Sequence, residues 1–437
     1  MSRTQKFGQE DVIDAAFSAW GKTMFRECSL KQVADAMGFS KTALYRCFPS
    51  KEELLRAMEE RLLREYLRTV EEFAAAYRAD FTAGLINGTA SALEELVGRY
   101  FRATAGYFSS TPEYLYFLIH RFLSSKESRE SYVRILGERE VPLVSGLLGE
   151  SISGIEREGI DTLAWFVRDS VFFWVMGIFG QGIHAICGIT ENPVQAAGDL
   201  ERIRKTVEEV TLSGVFTGEL PGSKRLEELL ERVWLRPQEV PAPPAIFQAI
   251  EKIISIHGYE GASLKKIAKE MGMDKSSMYH FFENKEALLE ETMLRENESF
   301  LNLLQIKVGN SDDPKERLWI YQVLVCSYAI MRPELLTVLH WTLFQNFDLA
   351  VPQKAARKSI RELERLIRTT EWDFEDVRFT EPVQLLAYVY FLVSRHLHRS
   401  WGLLGVEPPL DILEPLYRYI GWGLGGFVPI TKIGETR

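Results

Sequence analysis

Residues 29–55 read SLKQVADAMGFSKTALYRCFPSKEELL, and residues 263–289 read SLKKIAKEMGMDKSSMYHFFENKEALL. Aligned without a gap, the two stretches are identical at 13 of 27 positions. Lysine, tyrosine, phenylalanine and lysine recur at fixed places, whereas Thr42 and Ala43 of the first copy become serines in the second. A match of this length in constant register indicates an internal duplication.

The duplication extends beyond the quoted stretches. Flanking segments align in the same order in both halves, although with weaker identity. The aligned pairs are 12–29 with 246–263, the 13 residues from Thr111 with those from Arg332, and 170–189 with 387–406. This colinear order indicates that one complete half was duplicated.

Composition is that of an ordinary globular protein. The chain has 437 residues, of which 46% are hydrophobic and 26% charged, enough for about two to four domains. A net charge of -9 argues against coating of nucleic acid by the whole surface, but it is compatible with a local basic patch.

The cysteines are too scattered for a disulfide framework or a zinc site; they are Cys28, Cys47, Cys187 and Cys326. The N-terminal sequence MSRTQKFGQED has no apolar core and does not resemble a secretory signal. We expect a cytoplasmic protein with no cofactor and no bound metal.

One segment has the length of a membrane-spanning helix. Residues 170–190 contain no Asp, Glu, Lys or Arg, and about 20 apolar residues cross a bilayer. Glycines, a Gln and a His interrupt the segment, and its aligned partner carries Arg395, His396, His398 and Arg399. Duplicated helices would rarely face lipid in one copy and carry charge in the other. We therefore expect a buried core helix and no membrane partner.

Hydrophobic periodicity predicts an all-α protein of two similar halves. Apolar residues recur at three and four positions along most of the chain, and no run alternates as a strand does. The linker between the halves, 218–244, has Gly- and Pro-rich ends around KRLEELLERVWL. Leu226, Leu229, Leu230 and Val233 fall on one stripe of that segment. The linker is therefore predicted to contain a docked helix.

The first quoted stretch contains the start and stop signals of three helices. Ser29 and Gln32 form a capping box at the start of LKQVADAM, and Gly38 supplies the positive φ that ends this helix. Ser40 is placed to cap a second short helix, KTALYRC, and Ser50 begins a capping box that starts a long helix. Two short helices joined by a Gly-containing turn follow the helix-turn-helix plan, whose second helix enters the DNA major groove.

The same periodicity assigns inward and outward positions in this unit. Its small core is predicted to consist of Val33, Ala34, Met37, Leu44 and Phe48. Lys41, Thr42 and Ala43 then face outward at the N-terminal end of the second helix, where side chains meet base edges.

The pattern resembles the TetR family of bacterial transcriptional regulators in both halves. The residues that carry the resemblance are Ala34, Gly38, Ser40, Leu44, Tyr45, Phe48, Lys51, Glu52 and Leu54, and then Ala268, Gly272, Met278, Tyr279, Phe282, Lys285, Glu286 and Leu288. The resemblance implies, for each half, a three-helix head that binds DNA and a larger helical domain that binds a small effector and dimerises. It implies a sequence-specific repressor of transcription that acts on a double-stranded DNA operator. No nucleophile–base pair, phosphate loop or metal spacing suggests an enzyme.

The resemblance also implies which residues contact DNA. Bases would be read by Lys41, Thr42, Ala43, Lys275, Ser276 and Ser277. Backbone contacts would come from Ser29, Lys31, Ser40, Tyr45, Lys51, Ser263, Lys265, Tyr279 and Lys285. For the two tyrosines, packing within the head is the competing interpretation.

Two departures from the family pattern concern the second head more than the first. The position before Phe48 and Phe282 often holds a phosphate-binding His or Tyr in the family, but here it holds Cys47 in the first head and Phe281 in the second. Arg46 and His280, one residue earlier, would compensate for the missing phosphate contact. Residues 1–56 hold nine Lys or Arg against seven Asp or Glu, a balance of +2, whereas 245–290 hold six against seven, a balance of -1. The second head is thus predicted to bind DNA more weakly, because phosphate neutralisation supplies much of the affinity.

Aromatic residues are abundant in the helical bodies. Packing is the ordinary role of each such residue, although apolar effector pockets use the same residue types. The candidate effector-binding residues are Tyr107, Phe122, Trp165, Phe172, Tyr328, His340, Trp341, Phe344 and Tyr390. Other histidines, His120, His184 and His396, are candidate polar members, with hydrogen-bonded core positions as the alternative.

The expected domains are 1–56 and 245–290 as heads, 57–217 and 291–437 as bodies, and 218–244 as linker. The family's dimer bundle maps to helix pairs 161–190 with 198–217 and 381–406 with 409–427. Small residues in these pairs would allow close helix approach, namely Gly177, Gly180, Gly421, Gly423 and Gly425. We expect these pairs to form an intramolecular pseudo-dimer that reads two unequal half-sites; homodimerisation of the tandem chain is the competing arrangement. The alternative function is a ligand-binding or protein-interaction module in which one or both heads no longer read DNA.

Overall fold

The structure is a computed structural model that describes residues 8–22, 25, 28–87, 89–124, 126–152, 155–179, 197–309, 311–332, 382–400 and 410–427. Within these ranges the chain forms α-helices, short 3-10 helices and loops, and it forms no β-strand. The predicted all-α class is confirmed.

The helices follow the predicted order of two halves and a linker. Those of the first half are α1 (Gln9–Gly21), α2 (Leu30–Met37), α3 (Lys41–Cys47), α4 (Lys51–Thr82), α5 (Thr89–Ser110), α6 (Pro112–Ser124), α7 (Lys126–Ser151), α8 (Arg157–Phe179) and α9 (Ala197–Ser213). The linker forms α10 (Ser223–Val233) and a 3-10 helix at Pro237–Glu239. Those of the second half are α11 (Ala245–Gly261), α12 (Leu264–Glu270), α13 (Lys275–Phe281), α14 (Lys285–Val308), α15 (Pro314–Met331), α16 (Pro382–Ser400), α17 (Leu410–Trp422) and a 3-10 helix at Gly423–Gly426.

Local capping explains the helix boundaries of the first head, α1–α3. The Oγ of Ser29 accepts from the Lys31 backbone N–H at 3.1 Å, and Gln32 Oε1 accepts from the Ser29 N–H at 2.9 Å, so the capping box is confirmed. Gly38 ends α2 with φ +68°, as predicted. Ser40 lies at the N-cap of α3, but its side chain makes no capping hydrogen bond. The prediction of a side-chain cap there is therefore wrong.

The second head, α11–α13, repeats this arrangement. Ser263 Oγ accepts from the Lys266 N–H at 3.3 Å, and Gly272 ends the following turn with φ +66°. Asn284 takes the place of the first copy's serine and caps α14 through the Ala287 N–H at 2.7 Å. Equivalent local signals thus give equivalent heads.

The linker helix is docked on the second body. The side chains of its predicted stripe are buried, namely Leu226, Leu229, Leu230 and Val233. They pack against α15 and α17. The indole Nε1 of Trp319 donates to the Leu226 carbonyl at 3.0 Å, and Arg225 forms an ion pair with Glu316 at 2.6 Å. These contacts fix the connection between the two halves.

The two halves pack on each other through the helices that follow α7 and α15. Helices α8 and α9 of the first half contact α16 and α17 of the second, in the described parts of the predicted helix pairs. The backbone N–H groups of Val215 and Phe216 donate across the interface to Ile420 and Gly421, at 3.0 and 2.9 Å. The chain therefore forms an intramolecular pseudo-dimer.

Two glycines of this interface lie close to the backbone of the opposite half. Gly214 and Gly423 have φ +68° and +60°, a conformation that favours glycine. A Cβ on Gly214 would overlap the backbone of Gly421 and Trp422, and a Cβ on Gly423 would lie 2.5 Å from the Thr211 carbonyl oxygen. The reciprocal contacts have the character of a two-fold axis. Of these positions the sequence pattern indicated Gly421 and Gly423 only as small residues suited to close packing.

Helix α6 contacts the first helix of both heads. It packs against α1 of its own half and against α11 of the second half. One helix of the first body therefore lies between the two heads. With interaxial distances of about 8–10 Å for packed helices, α1 and α11 each lie about 8–10 Å from the axis of α6.

None of the described helices is long and apolar enough to cross a bilayer. Of the apolar segment 170–190, the structure describes residues 170–179, which lie in α8.

Candidate nucleic-acid interface

The predicted reading helix of the first head presents its N-terminal side chains to solvent. Lys41 and Thr42 are exposed and Ala43 is half-buried, while Leu44 on the opposite face is buried in the head. The helix begins at Lys41, so these three residues occupy its first turn. That is the part of a recognition helix that meets base edges.

The predicted backbone-contacting residues of the first head surround this turn on the surface. All of them are exposed, namely Ser29, Lys31, Ser40, Tyr45, Arg46 and Lys51, and the hydroxyl of Ser29 lies at the start of α2. Tyr45 has 49% of its surface in solvent, which is more than a residue needs for packing alone. The hydroxyl of Ser29 already accepts from the Lys31 N–H, which leaves its own O–H to donate to a phosphate.

The second head exposes a similar set. The exposed residues are Ser263, Lys265, Ser276, Tyr279 and His280, whereas Ser277 and Lys285 are half-buried. Lys275 begins α13, but its side chain lies outside the described part of the structure.

The heads differ most at the residue before the recurring phenylalanine. Cys47 is half-buried, whereas Phe281 at the aligned position exposes 66% of its surface. The Gln9 side-chain amide donates to the Cys47 carbonyl at 3.0 Å, which ties α1 to the end of α3. A large exposed phenylalanine offers apolar contact and no hydrogen bond to a phosphate.

The first head is attached to its body by aromatic packing and by Arg61 of α4, which lies 2.5 Å from Asp14 and 3.3 Å from Glu10 of α1. Phe17 of α1 lies against Tyr114 and Phe117 of α6, with ring centroids 4.4 and 5.2 Å apart. Phe25 follows at 5.1 Å from Phe117. Beside this cluster, buried Arg121 joins α6 to α4 through Glu59 at 2.5 Å and Glu52 at 2.8 Å.

The second head is attached by buried charges. Arg332, at the end of α15, donates to both oxygens of Glu251 in α11 at 2.8 and 2.6 Å. Its other terminal nitrogen donates to both oxygens of Glu296 in α14, each at 2.9 Å. Tyr328 also donates to Glu296 at 2.8 Å. All three charged residues are buried.

The packing around His120 of α6 leads to a prediction about pH. Burial, with the nearby charges of Arg121 and Lys51, lowers the pKa of His120 to about 4. Between the unfolded value of about 6.5 and this pKa, the unfolded chain binds a proton that the folded chain does not. The free energy of unfolding should therefore fall as pH falls from 6.5, by about 2 kcal/mol at pH 5 from this group.

Urea unfolding of the wild type and of His120→Phe at pH 7 and pH 5 measures this contribution. The carboxylates contribute equally to both proteins, so the histidine contribution is the difference between their pH dependences. Equal losses of stability in the two proteins would contradict a neutral, buried His120.

The candidate effector residues that the structure describes do not form one cluster. In the first body, Tyr107 and Phe172 both lie against Phe108, with centroids 5.0 and 6.2 Å from it, whereas Trp165 packs beside Gly137. In the second body, Tyr328 is engaged by Glu296, and Tyr390 is half-buried. His340, Trp341, Phe344 and His184 lie outside the described residues, as does the side chain of Phe122. The His396 ring is hydrogen-bonded to the Ile412 carbonyl at 3.1 Å, the ordinary core role.

Sequence reasoning missed a buried polar network in the first body. Glu140 of α7 accepts from the hydroxyls of Tyr66, at 2.5 Å, and Tyr100, and from Arg168 at 3.2 Å. Burial and the Glu140 carboxylate raise the pKa of both tyrosines, so their hydroxyls stay protonated as donors. The only signal in the sequence was a charged residue at a position where periodicity expects an apolar one.

The network continues across the interface between the halves. Asp169, beside Arg168 in α8, lies 3.5 Å from the Arg395 guanidinium of α16. Ser170 Oγ is hydrogen-bonded to the hydroxyls of Tyr388 and Tyr419, each at 2.8 Å. The pseudo-dimer interface therefore has a polar centre within an apolar surround.

Comparison with known proteins finds a family match at each head. The sequence model of the family described as "Bacterial regulatory proteins, tetR family" matches residues 12–58 and 246–292. A relative named "Uncharacterized HTH-type transcriptional regulator YxaF", from Bacillus subtilis (strain 168), is 32% identical over 77 residues, which are 17% of this chain and 40% of the relative. The chain thus spans less than half the length of that relative.

A solved structure described as "Structural analysis of fatty acid degradation regulator FadR from Bacillus halodurans" aligns with 44% of this chain and 98% of its own, at 17% identity. Its TM-score is 0.33, and a likeness this weak supports no argument about shared packing or ligand.

Proposed function

We propose that the chain represses transcription by holding two unequal half-sites of one DNA operator with its two heads, because the sequence model of the TetR family matches both of them. The observation that carries the proposal is the exposed first turn of α3 in a head whose fold repeats in the second half. The heads differ at the predicted base-reading positions, Thr42 and Ala43 against Ser276 and Ser277. Each head would therefore prefer its own bases.

The pseudo-dimer supports the proposal because it places two reading helices in one chain, whereas a homodimer needs two chains to provide them. Dimeric helix-turn-helix proteins place their reading helices about 34–36 Å apart, one turn of DNA. Helix α6 contacts α1 of the first head and α11 of the second. The reading helices, α3 and α13, are different helices of these heads. The arrangement is compatible with adjacent half-sites on one face of the DNA.

The pairing surfaces argue against a homodimer built from like halves. The positions aligned with Asp169 and Arg395 are Leu386 and Ile178. A symmetric pair of second halves would face Arg395 with a leucine, and a buried charge without its partner costs several kcal/mol. Each surface is complementary to the other half rather than to itself. We therefore propose that one chain is the DNA-binding unit.

The interior of the first body is suited to a small effector that is largely apolar or aromatic and carries a hydrogen-bonding group. Among the described residues, the hydroxyls of Thr104 in α5 and Tyr132 in α7 are buried without a hydrogen-bond partner, although such groups are nearly always satisfied. Tyr107, Phe108 and Phe172 provide apolar surface in the same body. The effector would release DNA by binding more tightly to a state in which the heads are wrongly spaced.

A second candidate function concerns the second head alone. Its surface exposes Phe281, where the first head has half-buried Cys47, and its charge balance is -1. A head with more apolar and less basic surface is suited to contact with a protein partner. In that case only the first head would read bases.

Selection of bound sequences from a random pool of duplex DNA tests the proposal. We expect enrichment of two unlike half-sites that one chain protects together. The logarithm of affinity should fall linearly with the logarithm of salt concentration, as phosphate contacts require. Enrichment of one half-site alone would favour the second candidate, and weak binding without any enriched sequence would exclude a DNA-reading role.

A further inference from the structure

We infer that the two heads are attached to their bodies by joints of different stiffness, and that Arg332 is the positioning residue that fixes the second head. The first head rests on aromatic packing and on ion pairs of Arg61 with Asp14 and Glu10, whose carboxylates are open to solvent. Exposed ion pairs hold an orientation less strongly than buried ones, so this head changes orientation more freely. The attachment itself does not depend on the proposed function, whereas its consequence for DNA binding rests on that function.

The geometry of the second joint restricts rotation. Arg332 bridges Glu251 of the head and Glu296 of the body with both oxygens of each carboxylate in contact. Two charge-assisted contacts in different directions hold the planar guanidinium in one orientation. A rotation of α11 against α14 would therefore break charge-assisted hydrogen bonds.

The burial of the cluster adds to this restriction. Two carboxylates and one guanidinium leave a net charge of -1 among these three side chains, in a site that is nearly closed to solvent. Burial works to lower the pKa of Arg332, but the two carboxylates raise it. Separating a buried carboxylate from its cation is costly, so the closed arrangement is strongly preferred.

The aligned positions of the first half carry no counterpart to this cluster. By the alignment of the two halves, Glu251, Glu296 and Arg332 correspond to Phe17, Leu62 and Thr111. Tyr107, aligned with Tyr328, donates to the Leu62 carbonyl at 3.1 Å instead of to a carboxylate. The hydrophobic contribution of a buried residue such as Phe17 is non-directional, whereas the charge-assisted hydrogen bonds of Arg332 require one orientation.

The second head is also held from its other side, because α11 packs against α6 of the first body. The head therefore lies between two bodies and is latched to one of them. A change in the first body that alters head spacing would move the first head, while the second head serves as the fixed reference. The charge cluster thus gives the tandem chain one mobile and one stationary head.

Distance distributions between spin labels measure the two joints without DNA. Matched label pairs connect each head to the far end of its long helix: Lys31 and Glu72 in the first half, and Lys265 and Ile306 in the second. These residues are exposed and aligned with one another. The four native cysteines are first replaced by serine or alanine in a chain that retains the wild-type unfolding temperature. We expect a narrower distribution for the second pair than for the first.

Two variants test the role of the cluster. Glu251→Phe, Glu296→Leu and Arg332→Thr together install the residues of the first half, which avoids an unpaired buried charge. Arg332→Lys keeps the charge and removes the bidentate contacts. Both should widen the distribution of the second pair towards that of the first, with the first pair unchanged.

Equal widths for the two pairs in the unmodified heads would overturn the inference, as would an unchanged second width in both variants. Should the triple variant fail to fold, Arg332→Lys alone decides between these results. Since no DNA is present, failure of the proposed function would leave the outcome of this experiment unaffected. Only loss of enriched DNA sequences in the random-pool selection would report on that function.

Discussion

Replacing Gly214 with alanine is expected to lower the free energy of unfolding by about 2–5 kcal/mol and to separate the two halves. Gly214 has φ +68°, and an added Cβ would overlap the backbone of Gly421 and Trp422. The left-handed conformation contributes about 1–2 kcal/mol of this loss and overpacking about 1–3 kcal/mol. The clash involves backbone atoms, which have no alternative rotamer. Urea unfolding followed by tryptophan fluorescence measures the effect.

Gly106→Ala is the matched control. Gly106 lies inside α5 and has no positive φ, and a Cβ added there would meet none of the described atoms within 4 Å. Alanine at this position should be neutral or should stabilise the helix by about 0.5–1 kcal/mol. A Gly214→Ala variant as stable as the wild type would show that the halves do not meet through this glycine pair.

Giving the first reading helix the base-reading residues of the second should make the preferred operator symmetric. In the variant Thr42→Ser with Ala43→Ser, both helices begin with Lys-Ser-Ser. The two half-sites enriched from a random pool should then become alike. Affinity for the wild-type operator should fall about 5- to 150-fold, because each mismatched base pair costs about 1–3 kcal/mol. Competition binding on the two operators measures the change.

Ala36→Ser is the control for this variant. Ala36 is exposed on α2 and outside the reading helix, so its replacement should leave the enriched sequence unchanged. If the double variant continues to select two unlike half-sites, the base preference comes from residues other than Thr42 and Ala43. In that case Arg46 and His280, which also differ between the heads, are the next to exchange.

The fold of the heads was predictable because its signals are local. The predicted segments LKQVADAM and KTALYRC correspond to α2 and α3 residue for residue. Their boundaries depend on the Ser29 capping box and on the positive φ of Gly38, which neighbouring residues determine. Ser40 was the exception, since an N-cap residue can occupy its position without using its side chain. The repeat then extended the same prediction to the second head.

The interface between the halves was predictable in outline and not in detail. The aligned segments indicated which helices would pair, and small residues suggested a close approach at Gly421 and Gly423. The need for glycine at Gly214 arises from the backbone of Gly421 and Trp422, far away in the chain, and no periodicity contains that information. The same holds for Asp169 and Arg395, whose pairing appears only when α8 meets α16.

Part of the charge cluster at the second head could have been suspected from the sequence alone. Glu251 interrupts the apolar face of AIFQAIEKII at the position where the first half has Phe17. A buried carboxylate requires a cation, but three-dimensional contact is needed to identify Arg332 as its partner. The residues predicted to contact DNA, where the structure describes their side chains, are exposed or half-buried on the heads, and their contact with DNA stays a prediction.

The number of chains on one operator is the most direct test of the central claim, that a single chain reads two unlike half-sites. Native mass spectrometry of the complex with the enriched duplex measures it. We predict one chain of 50.1 kDa per duplex, with loss of binding when either half-site is scrambled. Two chains on a duplex with two identical half-sites would contradict it.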